Sequence, residues 1–445
     1  MKDQPSFYRR LEQFLDAPRT NQGLMTLKPR WDDSVLDLTT SDFLSLSRSG
    51  RIREVFMDEL VRHSDFRLSA SGSRVQYGNY DYLLEVEREI ATFHRAETAW
   101  IAHSGFFANV GVLEAIPFLG DAIIYDELSH ASTHLGIKVS IATRKIPFKH
   151  NSAESLRDVL TSLRDSDSAF ISGEQSILIC VESIYSMEGD ICPLVEFVEI
   201  TKELFPAGNA QFIVDEAHSS GVLGPKGAGL VQMLGLEKEI AIRVHVCSKA
   251  LGSTGGVILC NKTVRSTLVH QSRALTYSGA PSFPMVASIR AGYKLLMSGE
   301  TQKAQSEIQR IVKYFFESIT ASSIWEEATD AGLLSVPLAE DWEDRPYHSH
   351  IVPIKTRPRH EQYLFIHLAL ANMNAYCVSY PVVPKGASRI RLVFHAHNTV
   401  EEIDKLVTTI CDWASEMLEI EHGESKAVLP KAMLHAYSIQ SSLSG

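Results

Sequence analysis

The sequence is poor in cysteine, and its six cysteines are scattered: Cys180, Cys192, Cys247, Cys260, Cys377 and Cys411. No two form a CxxC pair, which argues against a zinc knuckle or a thioredoxin-type motif. Several sit in apolar runs such as SILICVES and GGVILC, the pattern of buried, reduced thiols. Basic charge is not in surplus either. The formal net charge is −11, so neither a nucleic acid nor an anionic membrane, both of which need a basic face, is expected as a partner. No apolar run approaches the ~20 residues of a membrane span. The opening residues, MKDQPSFYRRLEQFLDA, mix charges where a secretory leader would be apolar. Internal repeats, GxxxxGK[ST] and GxGxxG are all missing. These absences leave a soluble globular protein, expected in the cytoplasm.

What is present suits a large globular protein of more than one structural unit. The chain has 445 residues, 44% hydrophobic and 22% charged, enough for two or three structural units. Residues 6–16 read as an amphipathic helix with Phe7, Leu11, Phe14 and Leu15 on one side, followed by a loop with Pro29 and Trp31 and a strand-like piece at 35–38. Strand and helix signals then alternate. Strands are expected at 99–102, 122–125, 177–182, 212–214 and 255–260, with helices at 83–94 and 106–118. Buried strands separated by helices predict an α/β unit with a mainly parallel sheet. A helical stretch over 287–320, broken near Ser298 and Gly299, leads to a smaller α+β part with strands at 351–354, 375–379 and 390–395. The expected organisation is an N-terminal segment 1–41, a large domain 42–296, a small domain 297–422 and a tail 423–445.

Three segments carry chemistry. In IVDEAHSSGVLG, residues 213–224, an apolar strand ends at Asp215 and His218 follows. The carboxyl end of a parallel strand faces the ligand crevice, so an acid there can pair with a pyridine nitrogen. In VHVCSKALGSTGGVILC, residues 244–260, a strand-like run ends at Ser248 and Lys249. A lysine there can reach the same crevice and form an imine with an aldehyde. In HSGFFANVGVLEAI, residues 103–116, a strand ends in Ser104 and Gly105 and a helix begins, a backbone arrangement suited to a phosphate. Each segment alone also fits a plainer reading: a helix cap at Asp215, a loop histidine at His218, a surface lysine at Lys249. Their order is more telling. A phosphate cradle, an acid at a strand end, and a lysine 34 residues later form the layout of fold-type I pyridoxal-phosphate (PLP) enzymes.

The sequence resembles the α-oxoamine synthase family, which includes 8-amino-7-oxononanoate synthase, serine palmitoyltransferase, 5-aminolevulinate synthase and 2-amino-3-ketobutyrate CoA ligase. The matching segments are SDFLSLS (41–47), SASGSR (69–74), DELSHAS (126–132), VESIYSMEGDICPL (181–194), DEAHSSGVLGPKGAG (215–229) and VPKGASRIRLVFHAHNT (383–399). The resemblance implies a fold-type I transferase that condenses an amino acid with an acyl thioester, on coenzyme A or an acyl carrier protein, with loss of CO2. It implies PLP as cofactor and a homodimer with shared active sites. It makes Lys249 the Schiff-base lysine and acid/base, Asp215 the partner of the pyridine nitrogen, His218 the donor to the phenolic oxygen and His130 the residue stacked on the ring. It puts Ser104, Gly105, Phe106, Ser248 and Ser278 at the phosphate, Glu182 and Ser186 beside the ring, and Arg391, Ser73 and Arg74 at the substrate.

The chain departs from the family pattern at several places. Val246 replaces a phosphate-binding threonine, with Ser248 as the expected substitute; Leu83 stands near a usual histidine; Gly279 ends a Tyr277-Ser278-Gly279 run where a threonine is usual; and Met25 replaces an arginine facing the acyl substrate. These changes fall on the thioester side and motivate the expectation of a carrier protein as acyl donor. Two competing readings remain open: an aminotransferase or aldolase of the same fold, and a scaffold subunit. Scaffold subunits of this kind lose the Schiff-base lysine, which this chain keeps.

Overall fold

The computed structural model describes residues 5–20, 27 and 34–443. It divides into two compact units, Met1–Leu36 and Asp37–Gly445. The described part of the first is mainly helix α1, Ser6–Thr20, four residues longer than the apolar spacing predicts and carrying Pro18 in its last turn. Pro29, Trp31 and Met25 lie outside the described residues.

The second unit is built on a seven-stranded sheet. Its strands are β1 (Thr98–Ala102), β2 (Ala122–Asp126), β3 (Arg144–Phe148), β4 (Ile177–Glu182), β5 (Ala210–Asp215), β6 (Ile242–Val246) and β7 (Gly256–Cys260). The spatial order is β1-β7-β6-β5-β4-β2-β3. The neighbours from β6 to β3 are parallel, whereas β7 runs antiparallel to both β6 and β1. The mainly parallel α/β sheet expected from the sequence is therefore present. Alternation explains its two buried faces. Ile177, Ile179 and Val181 of β4 point into one apolar layer with Phe212, Val214 and Phe197. Leu178 and Cys180 point into the other, with Ile213, Val244 and Val112. Fully burying a side chain such as Ile179, at 0% exposure, contributes about 1.5–3 kcal/mol.

Helix α2 (Asp81–Phe93) buries Leu83 and Val86. Helix α3 (Gly105–Ala115) follows β1 directly, its first turn capped by Ser104, whose Oγ accepts the Phe107 N–H at 3.1 Å. It ends at Ala115, ahead of Pro117, where the apolar pattern had suggested 118. Helix α4 (Ala131–Val139) packs against α3 so closely that a Cβ at Gly136 would lie 2.8 Å from Leu113 Cβ. The long helical stretch resolves into α5 (Phe283–Ser298) and α6 (Gln302–Thr320), separated at Gly299, whose φ of 83° suits a residue without a Cβ.

A second sheet, of four strands, comprises β8 (Leu334–Ser335), β9 (Ile351–Thr356), β10 (Tyr376–Val378) and β11 (Arg389–Val393), in the order β10-β11-β9-β8. Helices α7 (His360–Leu370) and α8 (Val400–Glu421) accompany it. Residues Lys431–Leu443 form a further helix, α9, in the stretch treated from sequence as a tail. Its weak apolar periodicity hid it.

Candidate active site

The carboxyl ends of the parallel strands open on one cavity of about 700 Å³, whose wall includes His130, Ser186, His218, Lys249 and Arg391. Five residues from five distant sequence segments thus meet. Beneath them, Glu182 and Asp215 are register partners at the last positions of β4 and β5. Lys249 Nζ lies 2.8 Å from His218 Nε2, so amine and imidazole converge on one point.

Burial sets the charge states. Desolvation pushes the partly buried Lys249 amine down to about 8, against the opposing pull of Asp215 and Glu182. Desolvation, with Lys249 nearby, holds His218 well below the usual histidine range, so the ring is neutral at pH 7. Its Nδ1 is buried with no hydrogen-bond partner among the described residues. Glu182 is pushed well above the carboxylate range by burial and by Asp215, and accepts the His130 N–H at 2.6 Å.

Asp215 is 7% exposed, and each of its carboxylate oxygens accepts one N–H: Oδ1 from Ala217 N at 2.8 Å, Oδ2 from Asn109 Nδ2 at 2.7 Å. His130 caps α4 with its own side chain, Nδ1 accepting the Ser132 N–H at 3.2 Å. The exposed Phe106 has its ring centroid 6.3 Å from that of His130.

Strand β11 presents two arginines to one side, and the structure separates their duties. Arg389 NH1 donates to Glu188 Oε1 at 2.6 Å and to the Met187 carbonyl. Arg391 donates its Nε to the Ser186 carbonyl, its one such bond among the described residues, and lines the cavity. Desolvation lowers Arg391 to about 10, so it stays charged at neutral pH.

Not every residue singled out from sequence comes to this cavity. Arg74 is one of those outside its wall. Its guanidinium is buried and bidentate to Glu87, at 2.7 and 3.0 Å, with Nε on Asn79 and its face over Trp100. A guanidinium held in this way has its fork already filled by a carboxylate. Ser73 is buried and bridges Gly279, away from the cavity wall. Ser278 Oγ donates to the Ala274 carbonyl at 3.2 Å. Ser248 is exposed beside Lys249. Val246 packs on the start of α3: a Cβ at Gly105 would lie 2.2 Å from its Cγ2. Sequence reasoning missed Asn109, Ser132 and the wall formed by Tyr380, Val382 and Val383. Ser132 sits inside the LSHAS segment, but Asn109 in SGFFANVG gives no signal of its own.

The family model for aminotransferase class I and II matches residues 33–410. The chain belongs to that family. Within it, this transferase is similar to the aminoacyl transferase sphA of Aspergillus fumigatus, 52% identical over 441 residues, 99% of this chain and 94% of the relative. It is also similar to the 8-amino-7-oxononanoate synthase of Emericella nidulans, 40% identical over 86% of this chain and 90% of that one. The resemblance to α-oxoamine synthases read from the motifs is thereby borne out. Among solved structures, a Sphingomonas wittichii serine palmitoyltransferase shares the fold of this family member, with TM-score 0.74, 22% identity, and 92% and 98% of the two chains covered. The 8-amino-7-oxononanoate synthase of Francisella tularensis matches with TM-score 0.67 and 25% identity over 88% of this chain and 100% of that one.

Proposed function

We propose that this transferase binds pyridoxal phosphate through Lys249 and joins an amino acid to an acyl thioester, releasing CO2 and giving an α-amino ketone. The observation that carries the reading is the convergence, in one cavity, of a lysine amine lowered to about 8, an arginine with unpartnered nitrogens and a strand-end carboxylate below.

The residues present fit the cofactor. Lys249 supplies the amine for its aldehyde, and Asp215 has a free lone pair on each oxygen for the ring nitrogen. His218 offers a buried, unpartnered Nδ1 as a second polar handle. The N-terminus of α3, at Gly105 and Phe106, offers backbone N–H groups to the phosphate. His130 would lie against the ring face. When bound, PLP provides an electron sink for negative charge developed at the substrate Cα.

The chain's own groups do the rest. Lys249 in its neutral form accepts the Cα proton and later returns one, a role general acid–base catalysis rewards with about 10²–10⁴-fold. Arg391 grips the amino-acid carboxylate as a fork and so orients the Cα substituents. Burial and the neighbouring Asp215 raise Glu182, which favours its protonated form.

Borohydride treatment of the holoprotein followed by peptide mapping should place the reduced adduct on Lys249. Lys249→Ala should lose the visible cofactor band and at least about 10³-fold in turnover. An adduct elsewhere sinks the assignment. Thioester-dependent release of labelled carboxyl carbon is the expected reaction signature, and amino-group exchange with a keto acid would mark an aminotransferase instead.

Four finer statements belong to the same proposal. The acyl donor is a carrier protein, since the departures at Val246 and Gly279 leave the amino-acid side intact; equal turnover with simple acyl-CoAs would refute this. The enzyme is a homodimer with shared sites, supported by Ser278 lying outside its own chain's cavity wall and by exposed Phe107 and Tyr277; sedimentation as a monomer at full activity would refute it. It works in the cytoplasm, consistent with six free cysteines and with no described helix long and apolar enough to cross a membrane. Residues 42–296 and 297–422 act as its large and small domains, each holding one sheet.

A further inference from the structure

One polar side chain on α3 touches Asp215 directly and reaches His130 through Ser132. Asn109 is 4% exposed, and its Nδ2 donates to Asp215 Oδ2 at 2.7 Å and to Ser132 Oγ at 3.0 Å. An amide NH2 has two hydrogens, so both are used. Ser132 Oγ in turn lies 2.7 Å from His130 Nδ1. Having accepted from the amide, this hydroxyl directs its own hydrogen to that nitrogen, which already accepts the Ser132 backbone N–H as the α4 cap. His130 Nδ1 is thus an acceptor, and the neutral ring carries its proton on Nε2. Ser132 is 0% exposed, so water does not compete at the middle of the chain.

We propose that Asn109 is a positioning residue that couples Asp215 to His130 through Ser132, fixing the carboxylate plane of one and the tautomer and ring plane of the other. Ala217 N pins one oxygen of Asp215 and Asn109 pins the second; without Asn109 the carboxylate turns about a single anchor. The side chain sits one helical turn after Gly105, so α3 ties the phosphate end of the site to the ring-nitrogen end. The inference rests on the assignment of PLP to this cavity.

The test compares Asn109→Ala, Asn109→Asp and Ser132→Ala in the full chain, measuring cofactor affinity and the visible band of the bound cofactor from pH 6 to 10. Loss of one hydrogen bond to a charged group predicts about tenfold weaker cofactor binding in Asn109→Ala. Asn109→Asp keeps the volume and inverts the polarity. Protonated at low pH, the new carboxyl can still donate to Asp215; ionised, it repels it. Its affinity should therefore approach wild type at pH 6 and fall about tenfold below Asn109→Ala by pH 9. A packing role predicts the opposite ranking, with the isosteric variant the milder at every pH, and that result overturns the proposal. If either Asn109 variant fails to fold, Ser132→Ala decides. It leaves the Asn109–Asp215 bond in place and should shift the pH titration of the visible band; an unchanged titration refutes the coupling. Borohydride trapping on wild type keeps the two ideas apart. Absence of a Lys249 adduct there refutes the cofactor assignment, whereas a normal adduct with unaltered affinity in the variants refutes the role of Asn109.

Discussion

At the scale of single residues, the site works by desolvation. An ordinary lysine is almost wholly charged at neutral pH; lowered to about 8, Lys249 has roughly a tenth of its molecules neutral at pH 7, about 300 times the usual fraction. Because the folded pKa is depressed, reactivity of the apoenzyme toward PLP should rise with pH through about 8 and level off above it. Stopped-flow capture rates across pH 6–10 check this, and a midpoint near that of free lysine would contradict it. The neighbouring arginines make the same point differently. Arg389 and Arg391 are two residues apart on β11, so the strand period puts both on one side. Only the tertiary partner, Glu188 against Arg389, leaves Arg391 to the cavity. The motif named the second arginine; the pairing gives the reason.

At the scale of elements, the junction of β1 with α3 decides whether a phosphate can approach. Gly105 opens the helix where Val246 of β6 comes nearest, and a methyl group there would stand 2.2 Å from a stiff, β-branched carbon. Gly105→Ala should cost about 1–3 kcal/mol through overpacking and weaken cofactor binding by displacing the first turn. Val246→Ala in the same chain should recover most of both losses, as read by denaturation and cofactor titration. The sequence legibly placed most of these elements, because buried parallel strands are short continuous apolar runs and the helices between them carry caps. It failed where that signal is weak. Strand β3, RKIPF, opens on two adjacent charges and carries a proline at the sheet edge, and α9 has little periodicity. The antiparallel direction of β7 is invisible in an apolar run, since direction depends on the connection made.

At the scale of the whole molecule, a buried charge cluster ties together the loops that hold the site. His150, just beyond β3, bonds Asp126 at the end of β2 at 2.9 Å and Asp190, on the loop carrying Ser186 and Glu188, at 2.8 Å. Burial opposes its charge, but the two carboxylates prevail and raise it to about 10. A folded pKa above the unfolded one near 6.5 means that the stabilisation is complete below pH 6.5 and fades as pH rises through about 10. Wild type should therefore be more stable than His150→Ala at pH 6, by an amount on the order of 2–4 kcal/mol, with the gap closing toward pH 10. Thermal unfolding at several pH values checks this; a gap that does not depend on pH would refute it.

The sequence by itself determined the fold class and pointed to Lys249, Asp215, His218, His130 and Arg391 as the candidate site residues. Those features are written locally, in strand ends and in short motifs whose order along the chain is diagnostic. The tertiary structure alone decided that Arg74 pairs with Glu87, that burial raises Glu182, and that Asn109 donates to Asp215. Such outcomes depend on which side chains lie within about 3 Å across segments far apart in the chain, and on how much water is excluded between them. No local pattern encodes those distances.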